Sequence, residues 1–223
     1  MYRLVLNCWR KNKPLFLCGL FSVAFFIFYS LNVQGWHWYK MAKQEVCETP
    51  DNYMNELKSL FRDAHVILTK FGLTHVLIYG SLFGAMRFGG PLPWDNDFDL
   101  AILSEEVAQI DESKFLQEFY DRGIKVVYRH WKGEYVISRN KAHGDLMIFS
   151  ETWFGDRGRT GIEPWVFFIH FRNFHQAPAR LFEKPLPKLP FLGMNISVPR
   201  EGMEIQRHFY PNDWWKEVKP KGC

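Results

Sequence analysis

Cysteine is scarce in this sequence, and its spacing does not suggest a metal site. The four cysteines, Cys8, Cys18, Cys47 and Cys223, form no CxxC pair and no His/Cys group with zinc-ligand spacing. The sequence therefore gives no indication of a zinc-stabilised fold. In an oxidising compartment, Cys47 and Cys223 can pair with each other, remain free thiols or bridge to another chain.

The sequence also lacks a basic domain. The net charge of +4 is carried entirely by Arg3, Arg10, Lys11 and Lys13, so the rest of the chain is neutral. Domains that bind nucleic acid are normally basic or carry a clustered basic face. We therefore predict no nucleic-acid partner. Internal repeats and low-complexity tracts are missing as well.

Charge is absent from the run between Leu15 and Val33, which is almost continuously apolar. Such a run is long enough to cross a hydrocarbon core of roughly 30 Å as a helix, and the cations before it favour a cytosolic N-terminus. A cleaved signal peptide and a buried core helix are the alternatives, but no small-x-small cleavage site follows. The sequence predicts a cytoplasmic tail (1–14), a transmembrane signal anchor (15–33), a stem (34–48) and a luminal domain (49–223).

Helical and strand patterns alternate along the predicted luminal domain. A cap-and-proline start at Thr49 and Pro50 predicts a helix to about Phe71, and β-rich or alternating runs predict several strands. The further predicted elements are strands at 73–79, 97–103, 145–149 and 165–171, a helix from Ser104 or Asp111 through Tyr120, a hairpin at 124–139, and a helix at 201–209. The Pro-rich stretch 178–199 is expected to be irregular.

The residues with chemical potential lie between Tyr79 and Leu103. A Gly80-Ser81 turn at a strand end offers backbone N–H groups and a hydroxyl to a phosphate. Asp97 and Asp99 alternate along the next predicted strand, so both carboxylates should share one face and bind Mg²⁺ or Mn²⁺. Asp145 begins a later apolar strand and is the candidate third carboxylate for metal-assisted displacement at phosphorus.

Neighbouring residues have more than one interpretation. Asp95 lies either in a turn or against metal or substrate, and Arg87 binds either a donor phosphate or a carboxylate of the protein. His143 is either a packing residue or a catalytic one. The tryptophans fit a core or groove wall as well as a stacking surface.

These residues together resemble the LicD family, which includes fukutin and fukutin-related proteins, and more broadly the nucleotidyltransferase superfold. The resemblance spans roughly Leu57 to Lys219. The matching motifs are Tyr79-Gly80-Ser81, Gly84-Ala85-x-Arg87, Gly90, Pro93-Trp94-Asp95, Asp97-x-Asp99, His143-x-Asp145 and Tyr210-Pro211-Asn212-Asp213-Trp214.

The resemblance implies an α+β fold, a nucleotidyltransferase-like mixed β-sheet with flanking helices, here preceded by one transmembrane helix. It implies catalytic and metal-binding roles for Asp97, Asp99 and Asp145. Donor-binding roles fall to Gly80, Ser81, Arg87 and Asp95.

The expected reaction transfers a phospho-polyol or phosphocholine, with ribitol phosphate favoured, from a CDP-linked donor to a hydroxyl of a glycan or glycoprotein, with Mg²⁺ or Mn²⁺ as cofactor. With the anchor, this predicts a single-pass type II enzyme of the Golgi or endoplasmic reticulum membrane that is able to oligomerise. An Asp-x-Asp glycosyltransferase using a nucleotide-sugar and a catalytically inactive scaffold are the alternatives.

Overall fold

The computed structural model describes residues 17–28, 47–153, 155–160, 175–217 and 219. The chain divides into two units, Met1–His37 and Trp38–Cys223. In the first unit, residues 17–28 are helical, a length of about 18 Å at 1.5 Å per residue. None of the helices in the described ranges is both long and apolar enough to cross a membrane. The predicted fold class, which placed one transmembrane helix before the sheet, is therefore wrong in that helix.

The second unit consists of helices around one mixed sheet and a small hairpin. Its helices are α1 (Asp51–Lys70), α2 (Tyr79–Phe88), α3 (Ser104–Val107), α4 (Glu112–Asp121) and α5 (Gly202–Phe209). Its strands are β1 (His75–Leu77), β2 (Asp99–Leu103), β3 (Lys125–Arg129), β4 (Glu134–Arg139), β5 (Ala142–Glu151), β6 (Asp156–Arg159), β7 (Gln176–Pro178), β8 (Lys188–Phe191) and β9 (Met194–Ser197). The predicted mixed sheet with flanking helices is present in this unit.

The main sheet has the strand order β1-β2-β5-β4-β3, with β6 pairing to β5 and β7 to β6. The pairing of β2 with β5 is parallel, whereas β5 with β4 and β4 with β3 are antiparallel. A parallel pair requires a crossover between its strands, and here the crossover carries α3, α4 and the β3–β4 hairpin. Residues far apart in sequence therefore meet at the start of β2.

The two faces of the sheet differ in chemistry because side chains alternate along each strand. One face presents Leu100, Leu146 and Tyr135, all buried, against α1 and α4. Phe98, next to this face, packs edge-on against Phe61 of α1 at 4.9 Å between ring centroids. The opposite face carries the aspartates and is called the polar face here, although Met147 and Phe149 are also buried on it.

Several predicted elements are confirmed in the described residues. Helix α1, the hairpin β3–β4 and helix α5 fall within a residue or two of their predicted bounds. Asp111 caps α4, its side chain accepting a hydrogen bond from the Lys114 backbone N–H. The predicted strand at 165–171 lies outside the described residues.

The Pro-rich stretch was wrongly predicted to be irregular. It contains the hairpin β8–β9, whose tight connection places Leu192 and Gly193 at φ values of 48° and 80°. Glycine at the second position suits this left-handed conformation, and Pro190 is tolerated because the hairpin strand has a free edge. Because the stretch is rich in proline, the sequence did not predict the two strands of this hairpin.

Candidate functional site

Asp99 and Asp145 face each other on the parallel strands β2 and β5. They are register partners, which places their backbones about 4.8 Å apart. The backbone N–H of Asp145 donates to the carbonyl of Phe98 at 2.8 Å. Because paired residues in a sheet project to the same side, both carboxylates emerge on the polar face.

Asp97 and Asp95 belong to the loop that precedes β2. The predicted strand began at Asp97, but the observed strand begins at Asp99, so Asp97 approaches the other carboxylates from the loop rather than along the strand. Oδ2 of Asp97 lies 3.6 Å from Nε2 of His143. The structure thus brings together Asp95, Asp97, Asp99, Asp145 and His143.

The first turn of α1 fixes this loop. The Tyr53 hydroxyl donates to the carbonyl of Asn96 at 2.7 Å and lies 2.9 Å from that of Lys141. The Thr49 hydroxyl donates to the carbonyl of Asp95 at 2.7 Å. Tyr53 therefore joins the segment before Asp97 and Asp99 to the segment before Asp145.

Burial and mutual repulsion disfavour the charged forms of these carboxyl groups. Burial, and then the charge of Asp97, raise the pKa of Asp95 to about 7. Burial, followed by the charges of Asp97 and Asp145, raises the pKa of Asp99 well above its usual value. Burial, followed by the Glu134 and Asp97 charges, raises the pKa of Asp145 to about 6. A group of crowded, desolvated carboxylates of this kind is typical of functional sites.

His143 lies beside the cluster, where the aspartates favour its protonated form. Its interaction with the Asp97 carboxylate raises the pKa of the imidazole, which partial burial opposes. The protonated form is stabilised by the aspartates around it, as the Coulomb attraction of opposite charges requires. His143 therefore belongs with the carboxylates rather than with a packing role alone.

The predicted phosphate cradle at Gly80 and Ser81 has a different structure. Both residues lie in the first turn of α2 rather than in a turn before it. The Ser81 side chain is buried, and its hydroxyl oxygen accepts the backbone N–H of Asp99 at 2.9 Å. A Cβ added at Gly80 would lie 3.2 Å from Oδ2 of Asp95. The carboxyl group of Asp95 thus lies beside Gly80, where a phosphate was expected.

Arg87 does not reach the carboxylates. Its guanidinium lies over the Phe83 ring at 4.1 Å, and Nη2 is 3.4 Å from the carbonyl of Trp214. These contacts include no carboxylate partner for Arg87, and its contact with a donor phosphate stays a prediction.

A divalent cation fits the chemistry of this cluster, although the side chains are not arranged around one. Carboxylate oxygens are the ligands that Mg²⁺ prefers, and such a cation would relieve the repulsion that raises the pKa values of Asp99 and Asp145. However, among the described residues no three His, Cys, Asp or Glu side chains form a group placed to hold a metal ion. Metal binding by Asp97, Asp99 and Asp145 stays a prediction.

Sequence reasoning assigned no role of their own to five residues in and around the site: Tyr53, Tyr79, His175, Glu134 and Arg159. Tyr53 lies in the first helix and was interpreted only as part of its apolar face. Tyr79 has a φ of 49° and is hydrogen-bonded to His175. Glu134 is buried and paired with Arg159. Of these residues, only Glu134 gave a signal in the sequence. It is a glutamate at the start of a predicted strand, and a charge that is buried there needs a partner.

Comparison with known proteins now identifies the family. The model for "LicD/FKTN/FKRP, nucleotidyltransferase domain" matches residues 72–201. An uncharacterised protein of Rickettsia typhi is 27% identical over 164 residues, which cover 72% of this chain and 47% of that protein. Proteins named "Ribitol 5-phosphate transferase FKRP" from Mus musculus and Homo sapiens are each 28% identical over 157 residues, covering 68% of this chain and 30% of theirs.

The chain spans less than half the length of the curated relatives it matches. The matched range contains β1 through β9, and with them every predicted site residue. The carboxylate cluster is therefore part of the domain that the family model describes. The chain belongs to the LicD family.

Proposed function

We propose that this protein transfers a phosphate-linked group, with ribitol phosphate favoured, from a CDP-linked donor to a hydroxyl of a glycan. The observation that carries the proposal is the convergence of Asp99 and Asp145, which are register partners on two parallel strands, with Asp97 of the preceding loop. Membership of the LicD family and the similarity to proteins named ribitol 5-phosphate transferases support the reaction class.

Transfer forms a bond between the acceptor oxygen and the donor's distal phosphorus, and it breaks the bond from that phosphorus to the oxygen of CMP. The hydroxyl proton must go to a base. Asp145 suits this task because its pKa of about 6 leaves it ionised but still basic near neutral pH. The reaction otherwise depends on positioning and on electrostatic stabilisation of the phosphoryl oxygens.

Asp97 and Asp99 would hold a divalent cation, which would supply positive charge to the donor's phosphates, and Asp145 would either complete its ligands or act as the base. Other residues of the chain position these carboxylates and compensate their charge. Tyr53 keeps the two carboxylate-bearing segments together, and His143 offsets the charge of Asp97. The Ser81 hydroxyl accepts the backbone N–H of Asp99 and so fixes the position at which β2 begins.

The direct test incubates the protein with Mg²⁺ or Mn²⁺ and, in parallel, CDP-ribitol, CDP-glycerol, CDP-choline and nucleotide-sugars, with a glycan acceptor present. Metal-dependent release of CMP from one CDP donor is the expected result. Release of UDP or GDP instead would identify a glycosyltransferase. Nucleotide binding without release, with acceptor present, would identify a scaffold.

We also propose that the protein works in an oxidising compartment of the secretory pathway, such as the Golgi or endoplasmic reticulum. Cys47 is disulfide-bonded, and Asn195 of the sequon Asn195-Ile196-Ser197 is exposed beside the β8–β9 turn. Expression in a secretory host should give a glycosidase-sensitive species that Asn195→Gln abolishes. An unglycosylated, fully reduced protein in that host would contradict the assignment.

A further inference from the structure

Three cations surround one buried carboxylate on the polar face of the sheet. Glu134 is 1% exposed, and Arg159 donates to its Oε2. Its Oε1 lies 3.3 Å from Nη1 of Arg129 and 3.6 Å from Nζ of Lys132. One carboxylate is therefore accompanied by three positive charges.

Two of these cations are only loosely engaged. Charge-assisted hydrogen bonds normally measure about 2.7–2.9 Å, so the contacts of Arg129 and Lys132 are long. Their side chains are 42% and 34% exposed, whereas Arg159 is 11% exposed. Arg159 donates to Oε2 of the carboxylate, and Oε1 has only the longer contacts with Arg129 and Lys132, so these two more exposed cations are accessible to a ligand.

The cations lie next to the aspartates on the same face. On β4, Val136 is the register partner of Asp145, and Glu134 is the register partner of Met147. Glu134 therefore lies two residues along β4 from the position opposite Asp145. This separation is about 7 Å. Arg129 pairs with Glu134, and Arg159 pairs with Phe149, which gives both side chains the same orientation as Asp145.

The positions first expected to bind phosphate are engaged within the protein. The Ser81 oxygen accepts the Asp99 N–H, the Asp95 carboxylate lies beside Gly80, and Arg87 lies on Phe83. A diphosphate bound near the aspartates needs positive charge from elsewhere in the chain. Arg129 and Lys132 supply that charge one residue pair away.

We propose that Arg129 and Lys132, which lie beside the Arg159–Glu134 pair, form an anion subsite that binds the diphosphate of a nucleotide-linked donor next to the aspartates. The identity of the anion rests on the proposed function, whereas the subsite itself rests on the geometry. Glu134 acts as a positioning residue that holds these two cations in place and competes with the ligand for them.

The test measures affinity by isothermal titration calorimetry with two probes, inorganic pyrophosphate without metal and CDP with Mg²⁺. Lys132→Gln and Arg129→Gln should each weaken both probes about three- to tenfold, the effect of losing one partly exposed charge-assisted contact. Glu134→Gln should tighten pyrophosphate binding, because it frees the cations. Lys114→Gln is the matched control, since Lys114 is an exposed lysine on α4 that is paired with Asp111.

A binding subsite predicts weaker pyrophosphate binding in Lys132→Gln and tighter binding in Glu134→Gln. A purely structural cluster predicts no such opposite changes. Equal weakening by Glu134→Gln and Lys132→Gln in folded protein, or no effect of Lys132→Gln and Arg129→Gln, would overturn the inference. If Glu134→Gln does not fold, the two cation variants decide the question. Competition with pyrophosphate by a sugar phosphate but not by CDP would also overturn it, by assigning the subsite to the acceptor.

The inference and the proposed function fail separately. CMP release that proceeds with unchanged KM for the donor in Lys132→Gln would contradict the subsite and leave the reaction standing. The expected pattern of pyrophosphate binding without CMP release from any donor would support the subsite and contradict the reaction.

Discussion

Asp99 and Asp145 are register partners on adjacent parallel strands, although two helices and a β-hairpin separate them in sequence. This pairing, rather than the Asp97-x-Asp99 spacing alone, defines the carboxylate cluster. Asp97 joins the cluster from the preceding loop and is steadied by His143. The predictions below follow from how each part of this arrangement is held.

Replacing Asp99 and Asp97 together by Asn keeps the size of both side chains and removes their charge. We expect kcat/KM for CMP release to fall by a factor of about a hundred or more, as for loss of a main electrostatic contact at phosphorus. Thermal stabilisation of the protein by Mg²⁺ should disappear in the same variant. Asp121→Asn on α4 is the control, and retained activity in the double variant would show that the site is elsewhere.

Ser81→Ala removes the hydroxyl that accepts the Asp99 N–H. Because Ser81 is buried and the N–H loses its partner, the free energy of unfolding should fall by about 1–3 kcal/mol. Urea denaturation followed by circular dichroism measures this change. Ser113→Ala, at an exposed position of α4, should cost little, and an equal loss in both variants would contradict the role given to Ser81.

Tyr53→Phe removes the hydroxyl that links the carbonyls of Asn96 and Lys141. We expect a stability loss of about 1 kcal/mol and a larger proportional loss in kcat than in donor affinity, since the two carboxylate-bearing segments lose their common tie. Steady-state kinetics separate the two effects. Tyr120→Phe is the matched control because its hydroxyl makes only a 3.4 Å contact with the Val126 carbonyl.

Gly144→Ala should be strongly destabilising. A Cβ at this position would lie 2.4 Å from the buried Phe98 ring, and forcing extra volume into a packed core costs about 1–3 kcal/mol or more. Phe98→Leu in the same chain should recover part of the loss by making room. Thermal unfolding of the two single variants and the double variant tests this, and strict additivity would argue against the clash.

His75 should make stability depend on pH below neutrality. Burial lowers the pKa of His75 to about 4, and its Nδ1–H donates to the Leu73 carbonyl at 2.7 Å. The unfolded chain, with a histidine pKa near 6.5, binds more protons between these values. Stability from this group is therefore present above about pH 6.5 and is lost as pH falls towards 4, by at most about 3 kcal/mol.

Urea unfolding at several pH values compares the wild type with His75→Asn, which should lose this part of the slope. The His65 Nδ1–H donates to Nε2 of His75 at 2.7 Å, a direction that follows from the role of Leu73 as an acceptor. An NMR titration of His75 gives an independent value. A pKa near 6.5 in the folded protein would contradict the prediction.

The sequence was sufficient for features that depend on local chemistry. Asp111 as a cap and Pro50 before α1 follow from backbone preferences at helix ends, and the apolar runs on either side of Gly133 predict the β3–β4 hairpin. Asp145 was recognised because an acid at the start of an apolar strand needs a partner. The family resemblance, carried by short motifs around these residues, was confirmed.

Features that depend on tertiary packing were not predictable in the same way. The alternation of polar and apolar residues is the same whether the strand begins at Asp97 or at Asp99. It therefore cannot show whether Asp97 lies in the strand or in the loop before it. The Ser81 hydroxyl binds the backbone N–H of Asp99, and the Arg87 guanidinium lies on the Phe83 ring. Neither partner follows from the sequence pattern. The apolar run near the N-terminus predicted a membrane-spanning helix, which the described helices do not provide.

The parallel pairing of β2 and β5 also has a consequence for how the protein folds. The aspartates can meet only when the chain has closed the long loop between β2 and β5, which is entropically costly. Contacts of such high sequence separation slow folding. We therefore expect the acidic cluster, whose repulsion opposes compaction, to form late in folding, after the local β3–β4 hairpin.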